Sequence, residues 1–208
     1  MSPGSAARSS VNVFINCPFD PDYAELFPAL VFTVQACGFH ARCALEESDA
    51  SETRIEKLYR IIAECGHGIH DISRTELGRN RLPRFNMPLE LGIFLGARKY
   101  GGSRQRQKRC LILDRHPYRY QKFCSDLAGH DPRAHSNRPK KAVIVVRDWL
   151  RDSRKGGNLP GGEAIFERYR AFKDDLPLLC AISELNGKSL RFNDLVMLVD
   201  RWLGTKPF

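Results

Sequence analysis

Four short stretches rich in apolar and β-branched residues, at 11–16, 39–45, 67–72 and 109–114, are separated by segments whose apolar positions recur at helical spacing. No other feature narrows the fold as far. The run Val11-Asn12-Val13-Phe14-Ile15 ends at Asn16-Cys17-Pro18 and reads as a strand. From about Asp22, the residues Tyr23, Leu26, Phe27, Leu30, Val31 and Val34 form one helical face, and Gly38 stops it. After the second strand, Ser51 is placed to cap a helix that turns Ile55, Leu58, Tyr59, Ile62 and Cys65 inward. The third strand leads through a polar, Arg-rich loop at 73–85 into a helix with Pro88 in its first turn, where a missing N–H costs nothing. The stretch Arg109-Cys110-Leu111-Ile112-Leu113-Asp114 is the most strand-like of the four.

Strict alternation of strand and helix defines βαβ units, and right-handed crossovers make such strands parallel, with helices on both faces. The expected fold is therefore α/β: a flavodoxin-like, doubly wound parallel sheet of four to five strands with a C-terminal helical extension. Past Tyr118 the strand signal fades. The 142–150 segment leans to helix, Gly156, Gly157, Gly161 and Gly162 bracket a loop, and helices are expected at 163–173, 176–184 and 192–203. The 208 residues hold one domain and an appendage rather than two full domains. The division expected is a disordered lead at 1–10, an α/β domain at 11–152 and a helical extension packed on it at 153–208.

Several classes drop out. No apolar run approaches the roughly 18 residues of a membrane span, and 1–10 lacks the apolar region of a secretory leader. Seven cysteines, an odd number with no C-x-x-C pair, read as reduced buried thiols, which points to the cytoplasm. The dinucleotide fingerprint G-x-G-x-x-G and the P-loop are both absent. His67 and His70, three apart on a strand, project to opposite faces, so no metal is expected.

With 33 Lys and Arg against 24 Asp and Glu, the net charge of +9 favours an anionic partner. A nucleotide or dinucleotide ligand ranks above nucleic acid, and a homo-oligomer is compatible with the sequence. Six basic residues between Arg98 and Arg109, with the pair Gly101-Gly102, read first as a solvated loop and second as a phosphate-attracting one. Tyr118, Tyr120 and Phe123 interleave with Arg115, Arg119 and Lys122, which reads first as a helix with a core side and a solvated basic side and second as a surface that stacks bases and holds phosphates.

Ligands of open parallel sheets sit outside the carboxyl ends of the strands. After the first strand come Asn16, Phe19 and Asp20: an amide, an aromatic ring and a carboxylate, or equally a turn with a helix cap. Asp71 and Ser73 end the third strand on one side of the sheet, suited to a sugar hydroxyl or to backbone amides of the turn. Glu90 follows Asn86-Met87-Pro88-Leu89, near the positive end of a helix dipole that should keep it ionised; the plainer reading is a cap. Asn86 adds hydrogen bonding there, though no acid.

Three pieces in order, Phe14-Ile15-Asn16-Cys17-Pro18-Phe19, Asp71 and Leu89-Glu90-Leu91-Gly92, resemble the nucleoside deoxyribosyltransferase-like superfamily, which is related to TIR-type domains. The whole chain also resembles bacterial proteins with a Phe-Asn-Met-Pro-Leu-Glu-Leu-Gly-like core. The resemblance covers about 11–114. It implies that the first-strand loop holds a nucleoside through Asn16, Phe19 and Asp20, with Ser73 and Asn86 as further contacts. It implies Glu90 and Asp71 as the catalytic pair, Glu90 attacking or stabilising the anomeric carbon. The expected activity is N-glycosidic hydrolysis or transfer on a nucleotide-like molecule, with NAD the leading substrate and no cofactor. The alternatives are a non-enzymatic nucleotide sensor of the same fold and a nucleic-acid-binding protein.

Overall fold

Residues 11–47, 49, 51–75, 84–153 and 159–206 are described by the computed structural model. The 1–10 lead, most of the Arg-rich loop (76–83) and the Gly156-Gly157 loop lie outside the described residues. The strands are β1 (Asn12–Asn16), β2 (His40–Arg42), β3 (His67–Asp71), β4 (Arg109–Asp114) and β5 (Arg133–Ala134). They form one sheet in the order β2-β1-β3-β4-β5, parallel at every pairing. This is the flavodoxin-like order. The helices are α1 (Leu26–Ala36), α2 (Arg54–Glu64), α3 (Asn86–Tyr100), α4 (Ser103–Arg106), α5 (Pro139–Arg151), α6 (Gly162–Ile182) and α7 (Phe192–Thr205).

Alternation along the central strands sorts side chains to two faces. Val13, Ile15, Ile69, Leu111 and Leu113 join the core of α1, α5, α6 and α7. Phe14 packs with Leu58, Ile61, Ile62 and Phe94 of α2 and α3 on the other face, while Ile72, Leu91 and Ile112 form a third cluster with Tyr120 and Leu127. Nine of the eleven residues of α1 are buried, because the sheet covers one side and the tail helices the other. Phe32 of α1 meets Tyr169, Phe172 and Trp202 at ring-centroid distances of 5.6, 5.4 and 5.8 Å. The tail thus completes the same core as the sheet.

Several expectations need correcting. The helix expected from Asp22 is a single 3₁₀ turn, Pro21–Tyr23, followed by α1. Gly38, at φ 77°, ends α1 by bringing the Phe39 N–H back to the Val34 carbonyl. β2 is shorter than the stretch 39–45. Thr53, not Ser51, caps α2 by accepting from the Glu56 N–H. β5 lies where no strand pattern is visible. Residues 118–123 make a 3₁₀ turn, Arg119–Lys122, rather than a two-sided helix. The helices expected at 163–173 and 176–184 are one, α6, which runs through Pro177.

The basic stretch is not a solvated loop. Arg98 and Lys99 occupy the last turn of α3, where cations suit the helix dipole, and α4 follows. Lys108 is buried, its ammonium donating to the carbonyls of Ile62 (2.6 Å) and Cys65 at the end of α2. Arg109 opens β4, so the whole stretch lies at the amino edge of the sheet, opposite the end where ligands bind. Among the described residues no helix is long and apolar enough to cross a membrane.

Candidate active site

At the carboxyl end of β1, the Asn16 side chain ties strands to helix. Its amide N–H₂ donates to the Met87 carbonyl at 2.9 Å, pinning the first turn of α3, and stands 3.1 Å from Nδ1 of His70 on β3. His70 is fully buried beside Phe14 and Phe94, and desolvation, helped by the charge of Lys108, depresses its pKa to about 3. It is therefore neutral, an acceptor at Nδ1. The other end of the Asn16 amide, Oδ1, is buried without a protein partner among the described residues.

The clamp on Met87 fixes the approach of α3 and with it Glu90, which is 3% exposed. Phe85 is the N-cap, so Glu90 stands five residues on, in the second turn, and the capping-box reading does not hold. Nor does the helix end dominate its ionisation. Burial pushes the Glu90 carboxyl above the ordinary glutamate value, only partly opposed by the Arg54 guanidinium 3.6 Å away. Arg54, the first residue of α2, is half exposed and draws this contact from the neighbouring crossover. Cys17 is near enough to feel the charges of both Asp71 and Glu90. Burial first, and those charges second, raise its thiol far above the usual range, so it is an inert protonated group.

Asp71 is fully buried and engaged by the protein. Tyr23 donates its hydroxyl to Oδ2, His135 Nε2 lies 2.9 Å from the same oxygen, and the Ser73 N–H donates to Oδ1 at 2.8 Å. Burial alone would raise this carboxyl, but the neighbouring His135, with the Ser73 N–H and the Tyr23 hydroxyl, holds it below the ordinary aspartate value. His135 accepts from the Asn137 N–H at Nδ1, which leaves Nε2 as the protonated nitrogen facing Asp71. A buried acid so arranged organises strands β3 and β5 around itself. It presents no surface to a ligand.

The remaining candidates divide. Ser73 is buried, and its hydroxyl has no partner among the described residues. Phe19 is 39% exposed and packs edge-on against Phe27. Asp20 faces Arg74 at 3.4 Å, while Arg74 reaches Asp22 at 2.9 Å. Asn86 is exposed as the first residue of α3. Asn16, Glu90 and the Cys17 turn thus meet at one place, Asp71 and Ser73 lie enclosed beside it, and Phe19 and Asp20 line a groove further along the same loop.

Sequence reasoning missed Arg54, which no motif singles out, and Tyr23, which fitted an apolar helical face. It also missed His135, for which no local pattern exists. Among the described residues no His, Cys, Asp or Glu cluster suits a metal ion. Comparison with protein-family models, with curated proteins and with solved structures finds no match for this chain.

Proposed function

We propose that this chain is an N-glycosidic-bond hydrolase or transferase of the nucleoside deoxyribosyltransferase-like kind, acting on a nucleotide-like substrate, with NAD the leading candidate. The observation that carries the reading is Glu90: a carboxyl group buried at the ligand end of a parallel sheet, with a half-exposed arginine as its only ion pair among the described residues. A structural carboxylate so buried is normally neutralised by close partners, as Asp71 is. Glu90 is left under-compensated, which suits a group whose counter-charge arrives with the substrate. As the bond from the anomeric carbon to the base breaks, the base departs with the bonding pair and the sugar becomes cationic. A carboxylate in a dry site stabilises that cation, or bonds to it, before water or an acceptor completes the exchange. Asn16 positions Glu90 through Met87, and Asp71 acts from behind as a positioning residue.

Replacing Glu90 with Gln keeps shape and hydrogen bonding but removes the charge. Chromatography of NAD, NADP, nucleosides and nucleotides after incubation should show turnover reduced by roughly 10²–10³, with ligand affinity nearly intact. A wild-type protein that binds nucleotides yet releases neither base nor nicotinamide would make the chain a sensor instead.

A further inference from the structure

A groove of about 790 Å³ opens between the β1–α1 loop and the turn joining α6 to α7. Neither Glu90 nor Asp71 lines it, and its outer wall comes entirely from the C-terminal extension. Three aromatic rings run along it: Phe19 and Phe27 with centroids 5.2 Å apart and edge-on, then Phe27 and Phe192 at 6.0 Å and tilted by 33°. Leu45, Leu176 and Leu190 complete an apolar lining. At its margin stand two cations, Lys188 and Arg191, both exposed and neither side chain engaged in an ion pair among the described residues. Asp20 lines the same groove, and one of its carboxylate oxygens is buried without a hydrogen-bond partner among those residues.

These features ask for a ligand with three parts. A flat apolar portion fits the aromatic run, an anionic group fits the two cations, and a hydroxyl fits the unpartnered acceptor on Asp20. We infer that the groove binds a phosphorylated nucleoside, its base against Phe19 and Phe27 and its phosphate at Lys188 and Arg191. The volume lies within the range of small-molecule sites. The inference rests on the nucleotide reading above and adds to it where the phosphate is recognised: at Lys188 and Arg191, outside the segment that resembles a family. It also gives the helical extension a task beyond packing.

The test is calorimetric binding of AMP, adenosine and octanoate to the full chain, to the double variant Lys188→Ser/Arg191→Ser and to Phe19→Ala. Both cations are exposed, so the double variant should fold normally and weaken AMP by about 2- to 30-fold while leaving adenosine unchanged. Phe19→Ala should weaken AMP and adenosine alike, by about tenfold, as loss of a stacking ring does. AMP affinity indifferent to the two cations, or wild-type protein that binds no AMP, overturns the inference. Octanoate bound as tightly as AMP overturns the planar base. If base release depends on Glu90 while the groove variants bind AMP normally, the groove falls and the Glu90 reading stands. Phosphate-dependent AMP binding with no Glu90-dependent turnover has the opposite meaning.

Discussion

A carboxyl group taken out of water holds its proton more tightly, and at Glu90 the cation paired with it, Arg54, is too exposed to cancel the effect. The sign matters for catalysis. If the carboxylate is the working form, the rate is lost as pH falls through the Glu90 pKa, and that pKa lies above 4.5. The acid limb of the kcat profile should therefore fall at a higher pH than an ordinary glutamate gives. Arg54→Gln should move the limb higher still, because Arg54 is the group that lowers the pKa. A limb that stays put in Arg54→Gln would remove Glu90 as its source. Both carboxyls are buried, yet close partners at Asp71 and one half-exposed arginine at Glu90 leave them shifted in opposite directions.

At the scale of elements, α2 ends on a lysine from elsewhere in the chain. The Lys108 ammonium serves the carbonyls of Ile62 and Cys65 and lies 4.8 Å from the Phe94 ring centroid. Lys108→Met keeps the apolar stem but takes the ammonium donor from both carbonyls, of which only that of Ile62 keeps another, the Cys65 N–H, a loss of about 1–3 kcal/mol in urea unfolding. Burial depresses the Lys108 pKa from 10.5 to about 8. A group depressed on folding contributes stability that is fully present above its unfolded value and lost as pH falls through the folded one. Wild type should thus gain on Lys108→Met between pH 8 and 10.5. Absence of such a pH-dependent difference would return Lys108 to the solvated class.

Elements were legible where local pattern and tertiary role agree. The β-branched run of β1 and the apolar run of β4 are strands because their side chains fill both faces of the sheet. β5 has only Arg133 and Ala134, and its place is set by pairing with β4 and by His135 reaching Asp71. No local signal carries that. The stretch 98–109 misleads for the converse reason. Its charges look like solvent exposure, yet helix ends and one buried amine absorb several of them. That Asn16, Asp71 and Glu90 gather at the carboxyl ends of the strands was legible, but the arrangement at Asp71 was not, because Tyr23, Ser73 and His135 meet there from three parts of the chain.

Over the whole molecule the tail and the sheet share α1, so they should unfold together. The two tryptophans report on this. Trp149 packs edge-on to His67 of β3, and Trp202 lies against Phe32 and Phe172 beneath the tail. Urea transitions followed by tryptophan fluorescence and by far-ultraviolet circular dichroism should coincide at one midpoint. An earlier fluorescence transition would show that the extension melts as a separate unit.

The sheet also tapers, from five or six residues per strand at its centre to three in β2 and two in β5 at its margins. A free strand margin recruits other chains by offering a row of unpaired amides and carbonyls, and here the rows are too short to template a sixth strand. Among the described residues, association of two copies would therefore draw on side chains rather than on strand pairing. Substitutions of those side chains, rather than of the strand margins, would tune any oligomer.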